Sequence, residues 1–391
     1  MNRQLFEALM QKRIIVCCGA GGVGKTTVSA SLAVALARRG KKVLILTIDP
    51  SLRLAEVLGV NNSPPEPLPL PDDTLFELGI EKPGILYAWM LDSMRVAEST
   101  IRAVIEDKAE LNQFLTNPIY RQLSTMTAGM HEYAAMKALH TFVESGEFDV
   151  VVVDTPPSRH ALDFLDAPKR LQRLFDLKVM KYLRPSTKSR LRRLSANVAL
   201  GTIRAITGSR FVDDFVFFLT QFERVFNSLE AGASSVRALL STDSASFVLV
   251  TSPQETSVNE AFLFQDTAKR LRLPLGGFVF NRSSAFLNRW NFPHESSFSK
   301  AIPARIVGAF QQMAREEQQL AARDLEVLRR VRMRAGDEAF VIDLPLFEAD
   351  QADLHRLFRV SELLLNESAS PGHEVDIPKK GGNDAKHRVQ A

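Results

Sequence analysis

The stretch Gly19-Ala20-Gly21-Gly22-Val23-Gly24-Lys25-Thr26-Thr27 decides how this chain is read. It fits the phosphate-loop pattern G-x-x-x-x-G-K-[ST] without a gap. Before it, Ile14-Ile15-Val16-Cys17-Cys18 is short, apolar and partly β-branched, the composition of a strand buried on both faces. After it, Val28, Leu32 and Leu36 recur at helical spacing among alanines, and Gly40 closes the run. Strand, glycine loop and helix are the setting in which the pattern carries chemistry. Glycines let the backbone wrap closely around phosphates, because no Cβ intervenes. Successive amides and the helix N-terminus then face the anion. In such a loop Lys25 reaches the β- and γ-phosphates, and Thr26 offers its hydroxyl to Mg²⁺. The candidate nucleotide-binding residues are therefore Gly19, Ala20, Gly21, Gly22, Val23, Gly24, Lys25, Thr26 and Thr27.

The rest of the chain is consistent with a soluble globular protein. Its 391 residues suffice for one large α/β domain or two smaller ones. Apolar content of 45% and charged content of 24% are ordinary. A net charge of +4 is small for this length and does not imply nucleic acid. The adjacent Cys17 and Cys18 cannot build a disulfide framework, and alternate faces of a strand make them core residues. There is no Cys/His cluster at metal spacing. Residues 1–12 have no apolar signal core and no apolar run reaches about 18 residues. A cytoplasmic protein is expected.

Taken in order, the chain alternates β and α patterns. Leu5, Phe6, Leu9 and Met10 mark a short amphipathic helix that packs on the core. A second buried strand, residues 42–48, ends at Asp49-Pro50. In doubly wound sheets ligands sit outside the carboxyl ends of strands, which places Asp49 near the phosphates. Residues 61–73 read as a Pro-rich loop, and residues 85–145 as helical, with Met90, Met94, Ala97 and Ile101 at helical spacing. A third strand, 148–153, ends in Asp154-Thr155-Pro156-Pro157, and a strand-terminal carboxylate there serves Mg²⁺ or its water. Residues 161–240 are helical again. Further strands are expected at 246–251, at 277–280 before Asn281-Arg282, and at 339–343. A charged helix or helix pair occupies 303–334. From residue 367 the tail has almost nothing apolar and is expected to be disordered. The fold class is α/β: a doubly wound, mostly parallel sheet of the phosphate-loop NTPase type, with a helical subdomain formed by two insertions.

These residues resemble the ArsA-type ATPase family, which includes the arsenite-pump ATPase and the eukaryotic ATPase that targets tail-anchored membrane proteins. The matching stretches are Gly19 to Thr27, Thr47-Ile48-Asp49-Pro50-Ser51, Thr127-Ala128-Gly129-Met130-His131-Glu132, Asp154-Thr155-Pro156-Pro157-Ser158-Arg159-His160 and Phe280-Asn281-Arg282. The resemblance is nearest to a bacterial branch often encoded as adjacent paralogues. It implies one ATPase domain over 1–366, with a core of 1–75, 146–160 and 245–366 and a helical subdomain of about 76–145 and 161–244. It implies that Asp49 orients the attacking water, so that Asp49 and Lys25 are the candidate catalytic residues. It implies that Thr26 and Asp154 hold Mg²⁺, that His160 senses the nucleotide, and that Asn281 hydrogen-bonds adenine. ATP is then favoured over GTP, and no guanine-reading Asn/Thr-Lys-x-Asp sequence follows that strand.

Departures from the family pattern are informative too. Members usually carry a second lysine after the first loop glycine, and it crosses a dimer interface to the partner's phosphates; here Ala20 stands there. Leu52-Arg53 replaces a polar His-Asn pair, and Arg159 replaces a glycine. The arsenite-holding cysteines and the zinc-binding C-x-x-C are absent, so arsenite efflux is the least favoured function.

The resemblance thus implies a Mg²⁺-dependent ATPase, a homodimer or a heterodimer with a lysine-bearing paralogue, whose switch motions act on a hydrophobic or membrane-protein client. Phe211, Val212, Phe215, Val216, Phe217, Phe218, Leu219 and Phe222 fit either an apolar client groove or a packed helix. The basic residues between Lys178 and Arg193 fit a solvated face or a peripheral contact with phospholipid head groups. No nucleic-acid partner is expected. The alternative is a ParA/MinD-like positioning ATPase cycling on membrane or DNA, which would want an apolar tail face or a basic DNA face.

Overall fold

The computed structural model describes residues 3–48, Leu54, Leu58, 66–81, 85–124, 130–155, 209–289, 303–347 and 353–365. Asp49, Arg53, Arg159, His160, the basic residues 178–193 and the tail lie outside the described residues.

Among the described residues eight strands form one sheet. They are β1 (Ile14–Gly19), β2 (Val43–Thr47), β3 (Leu68–Pro69), β4 (Leu86–Met90), β5 (Val150–Asp154), β6 (Ala245–Thr251), β7 (Leu275–Ser283) and β8 (Phe340–Pro345). Their order is β3-β4-β2-β5-β1-β6-β7-β8. Every neighbouring pair is parallel except β3 with β4. The strand before the phosphate loop is thus central, with Ile14 in register with Val151 on one side and Ala245 on the other. From β1 the chain moves outward to β2, then returns to fill the gap with β5 and crosses to β6. That reversal beside β1 makes a crevice at the strands' carboxyl ends.

A parallel sheet needs cover on both faces, which explains the unbroken apolar runs. On one face Ile14, Val16 and Cys18 join Val151, Val153, Phe247 and Leu249 under Leu139 of the helix Met130–Ser145 and Leu328 and Val331 of the helix Ala304–Ala335. On the other face Ile15 and Cys17 meet Leu32 and Leu36 of the helix Lys25–Arg38, Phe6 and Leu9 of Arg3–Met10, and Leu357 of Asp353–Leu365. Each such leucine, fully buried, contributes about 1.5–3 kcal/mol. The two cysteines do alternate between the faces, both fully buried.

Two expectations change. Residues 85–145, read as helical throughout, open with β4, which lies against β2 inside the sheet. Trp89 meets Phe142 at 5.3 Å and Tyr87 meets Phe148 at 5.2 Å between ring centroids, both edge-on, so aromatic packing on a pleated surface outweighs the helical spacing that begins at Met90. The Pro-rich stretch likewise contributes the two residues of β3, with Pro69 on an edge strand where a missing N–H is tolerated. The charged segment near the C-terminus is one helix, Ala304–Ala335.

The helical segments before and after β5 meet one another. The helix Ser209–Leu240 packs on Ser93–Val104 and Met130–Ser145. Ile101, Ile105, Phe114, Phe218 and Val225 form a separate apolar cluster there, with Phe114 and Phe218 stacked at 5.6 Å. Val212 and Phe218 are buried, whereas Phe211 is 48% exposed and stacks on Phe215, so the aromatic stretch divides between interior and surface. No helix among the described residues is long and apolar enough to cross a membrane.

Candidate functional site

The phosphate loop leaves the end of β1 at Gly19 and enters the helix Lys25–Arg38 at Gly24. Gly19 passes so close to β6 that a Cβ would overlap the Val250 carbonyl oxygen. Gly24 has φ 90° and ψ 30°, a left-handed conformation at the helix N-cap that disfavours any side chain. The helix opening has no side-chain cap, so its first amides keep their capacity for an anion.

Lys25 is 6% exposed and folds back over the loop, its Nζ donating to the Ala20 carbonyl at 2.8 Å. The Ala20 methyl belongs to the apolar cluster on the same side of the sheet. Thr26 Oγ1 donates to Asp154 Oδ2 at 2.8 Å. Asp154 is fully buried at the end of β5, in register with Cys17 of β1 and Thr47 of β2. Thr47 Oγ1 donates to the same carboxylate oxygen at 3.3 Å, and Thr155 Oγ1 donates to the Cys17 carbonyl at 2.8 Å. The Ile48 N–H donates to the Asp154 carbonyl at 3.0 Å, which ties the chain entering Asp49 to the end of β5.

The structure therefore brings Lys25, Thr26 and Asp154 together from the sequence-derived set. Asn281, at the end of β7, joins them: it is 7% exposed and its Nδ2 donates to the Val23 carbonyl at 2.8 Å. Asp49 lies outside the described residues. Thr47 and Thr155 are additional members that the sequence reading assigned no role. Their only sequence signal is a hydroxyl near a strand-end aspartate, Thr47 two residues before Asp49 and Thr155 next to Asp154.

Thr26 and Asp154 present a hydroxyl and a carboxylate in contact at the loop's mouth. Hard oxygen donors of that number suit Mg²⁺, which takes one or two protein oxygens and fills the remaining positions with phosphate oxygens and water. Among the described residues no group of three or more His, Cys, Asp or Glu side chains could form an all-protein cage. The thiols below the loop are inert by environment. Burial first, then the Asp154 charge, raises Cys17 well above its ordinary range, and burial pushes Cys18 up to about 12.

Comparison with known proteins agrees with this geometry. The pattern of the anion-transporting ATPases, of ArsA type, matches residues 12–282. The chain is 31% identical over 172 residues to the ATPase GET3 of Malassezia globosa, covering 43% of this chain and 47% of that protein. It is 32% identical over 158 residues to an ATPase ASNA1 homologue of Babesia bovis, covering 40% and 39%. Against the ATPase get3 of Pyrenophora tritici-repentis it is 24% identical over 373 residues, covering 95% and 97%. The match spans less than half the length of the first two relatives.

Proposed function

The chain belongs to the anion-transporting ATPase family of ArsA type, and from that premise we propose that it binds MgATP at the phosphate loop and hydrolyses it to drive motion of its helical insertions. The observation that carries this reading is the Thr26–Asp154 contact at the mouth of an uncapped helix N-terminus, with Lys25 folded across the same loop. Phosphoryl transfer asks little covalent work of a protein; positioning and charge stabilisation supply most of the acceleration. The loop amides and Lys25 bind the triphosphate oxygens, and Lys25 exchanges the Ala20 carbonyl for them. Thr26 and Asp154 are the residues that would hold Mg²⁺, which when bound neutralises charge on the β- and γ-oxygens. Thr47 keeps the Asp154 carboxylate turned toward the loop. Asp49 orients the attacking water, and the Asn281 side-chain oxygen accepts from the adenine amino group.

The two helical insertions, with their own apolar cluster, are the element the nucleotide state moves. Their client is a hydrophobic protein segment, met at the surface around Phe211 and Phe215. Two copies of this chain, or one copy and a lysine-bearing paralogue, make the working unit. Steady-state phosphate release with and without Mg²⁺, in the native chain and Lys25→Ala, tests the enzymatic part. Release that persists in Lys25→Ala overturns it.

A further inference from the structure

We propose that Asn281 is a positioning residue of the phosphate loop: its amide nitrogen holds the Val23 carbonyl and sets the loop in its anion-binding shape before any ligand arrives. The proposal rests on the nucleotide-site reading above and goes beyond it, because a brace of this kind acts on every polyphosphate, whatever base is attached.

The contact is a buried hydrogen bond of 2.8 Å between Asn281 Nδ2 and the Val23 oxygen. A carbonyl oxygen only accepts, so the amide nitrogen, not its oxygen, must face it. The peptide joining Val23 to Gly24 is planar and trans. Holding the Val23 carbonyl toward Asn281 therefore turns the Gly24 N–H away from Asn281. Gly24 is also the residue whose missing Cβ makes room: a methyl there would overlap Asn281 Nδ2. The side chain thus occupies the space that the last loop glycine leaves vacant.

Asn281 is itself held on both sides. Before it, Phe280 is in register with Thr251 of β6 and Asp343 of β8. After it, the β7–β8 register shifts between Phe280 and Ser283, and Arg282 adopts a left-handed φ of 60°. The chain is then fastened again, by the Leu346 N–H on the Ser283 carbonyl at 3.3 Å and by the Ser284 N–H on Asp324 Oδ2 at 2.9 Å. Asp324 is 3% exposed and sits in the helix Ala304–Ala335. The irregular strand end aims one amide at the loop from a fixed base. A loop amide already oriented need not be ordered on binding, and that saving appears as affinity.

The test is calorimetric titration of MgATP, MgGTP and inorganic tripolyphosphate into the native chain, Asn281→Ala and the near-isosteric Asn281→Leu, with hydrogen exchange of the loop amides in the ligand-free proteins. We expect both variants to bind tripolyphosphate and MgGTP roughly three- to tenfold more weakly, the worth of one buried neutral hydrogen bond. MgATP should weaken at least as much, and exchange should quicken at residues 20–25 while the strands stay protected. Unchanged tripolyphosphate affinity, with MgATP alone weakened, overturns the brace and leaves only contact with the base. Exchange that quickens throughout the sheet overturns it as well, as simple loss of packing. Lys25→Ala serves as the separate control. Polyphosphate binding that survives it overturns the nucleotide site itself, independently of what the Asn281 variants do.

Discussion

Thr26 and Asp154, 128 positions apart, share a hydrogen bond of 2.8 Å in which the hydroxyl donates to a fully buried carboxylate. One residue opens a helix and the other ends a strand, so the bond exists only when β1 and β5 lie side by side in the observed register. It binds fold and function in one contact. Thr26→Ala should remove a bond to a charged group worth about 1.5–3 kcal/mol. For a chain of 391 residues the thermal midpoint should then fall by about 2–4 °C in all, at roughly 1.2 °C per kcal/mol. The gain in ATP affinity on adding Mg²⁺ should shrink in the same variant. Calorimetry with and without EDTA checks it, and an undiminished Mg²⁺ increment would remove Thr26 from the metal's ligands.

Nucleotide choice gives a second expectation. MgATP should bind, MgGTP much more weakly, and Lys25→Ala should bind neither. Equal ATP and GTP affinities in the native chain would take the adenine contact away from Asn281.

A third concerns Asp49. Asp49→Asn should leave ATP binding nearly intact while lowering turnover by orders of magnitude, since a role confined to the transition state shows in kcat and not in ground-state affinity. Paired titration and single-turnover measurements decide. Unchanged turnover would reduce Asp49 to a helix cap.

Ala20 supplies the fourth. Its methyl packs with the apolar cluster and cannot neutralise charge on a facing subunit's nucleotide. The chain alone should therefore hydrolyse ATP slowly. Either Arg159→Ala abolishes what remains, with Arg53 as the other candidate cation, or a lysine-bearing paralogue raises the rate by about tenfold or more, well short of the most that a positioned cation contributes to phosphoryl transfer. Fast hydrolysis by this chain alone, indifferent to both arginine changes, would show that no trans cation is needed.

The thiols set the fifth. In the folded chain ionisation of Cys18 is pushed from 9.0 up to about 12, chiefly by burial. The unfolded chain therefore holds fewer protons than the folded one between those values, and stability must fall as pH rises through them. The slope is at most about 1.4 kcal/mol per pH unit for each thiol. Below pH 9 this contribution is fully retained. Denaturant midpoints from pH 7 to 10.5 would show it, with Cys18→Ala flattening the decline; an identical decline in that variant would assign it to other groups.

Most of the sheet was legible because a strand buried on both faces must be apolar through its middle, as β1, β2, β5 and β6 are, and as β7 and β8 are at residues 278–280 and 340–342. β4 was not, for a definite reason. Five residues are too few to display a period of their own, and Met90 starts a 3.6-residue spacing that the next helix continues through Ile101. The loop, Lys25, Thr26 and Asp154 were legible from local pattern. Thr47, Thr155 and the Asn281–Val23 contact were not, since each depends on which strand ends the topology places together. Asn281 lies 258 positions from its partner.

The central place of β1 also orders the chain's assembly in time. Made before either of its neighbours, β1 finds one flank only when Val150–Asp154 has been synthesised and the other only with Ala245–Thr251. Until then its five buried residues have a bare edge, the kind of surface that invites pairing with another nascent chain. Closing it late requires contacts across more than half the sequence, which slows folding. A chain interrupted before Ala245 would keep the intact phosphate-loop sequence and lack the strand against which Gly19 is packed.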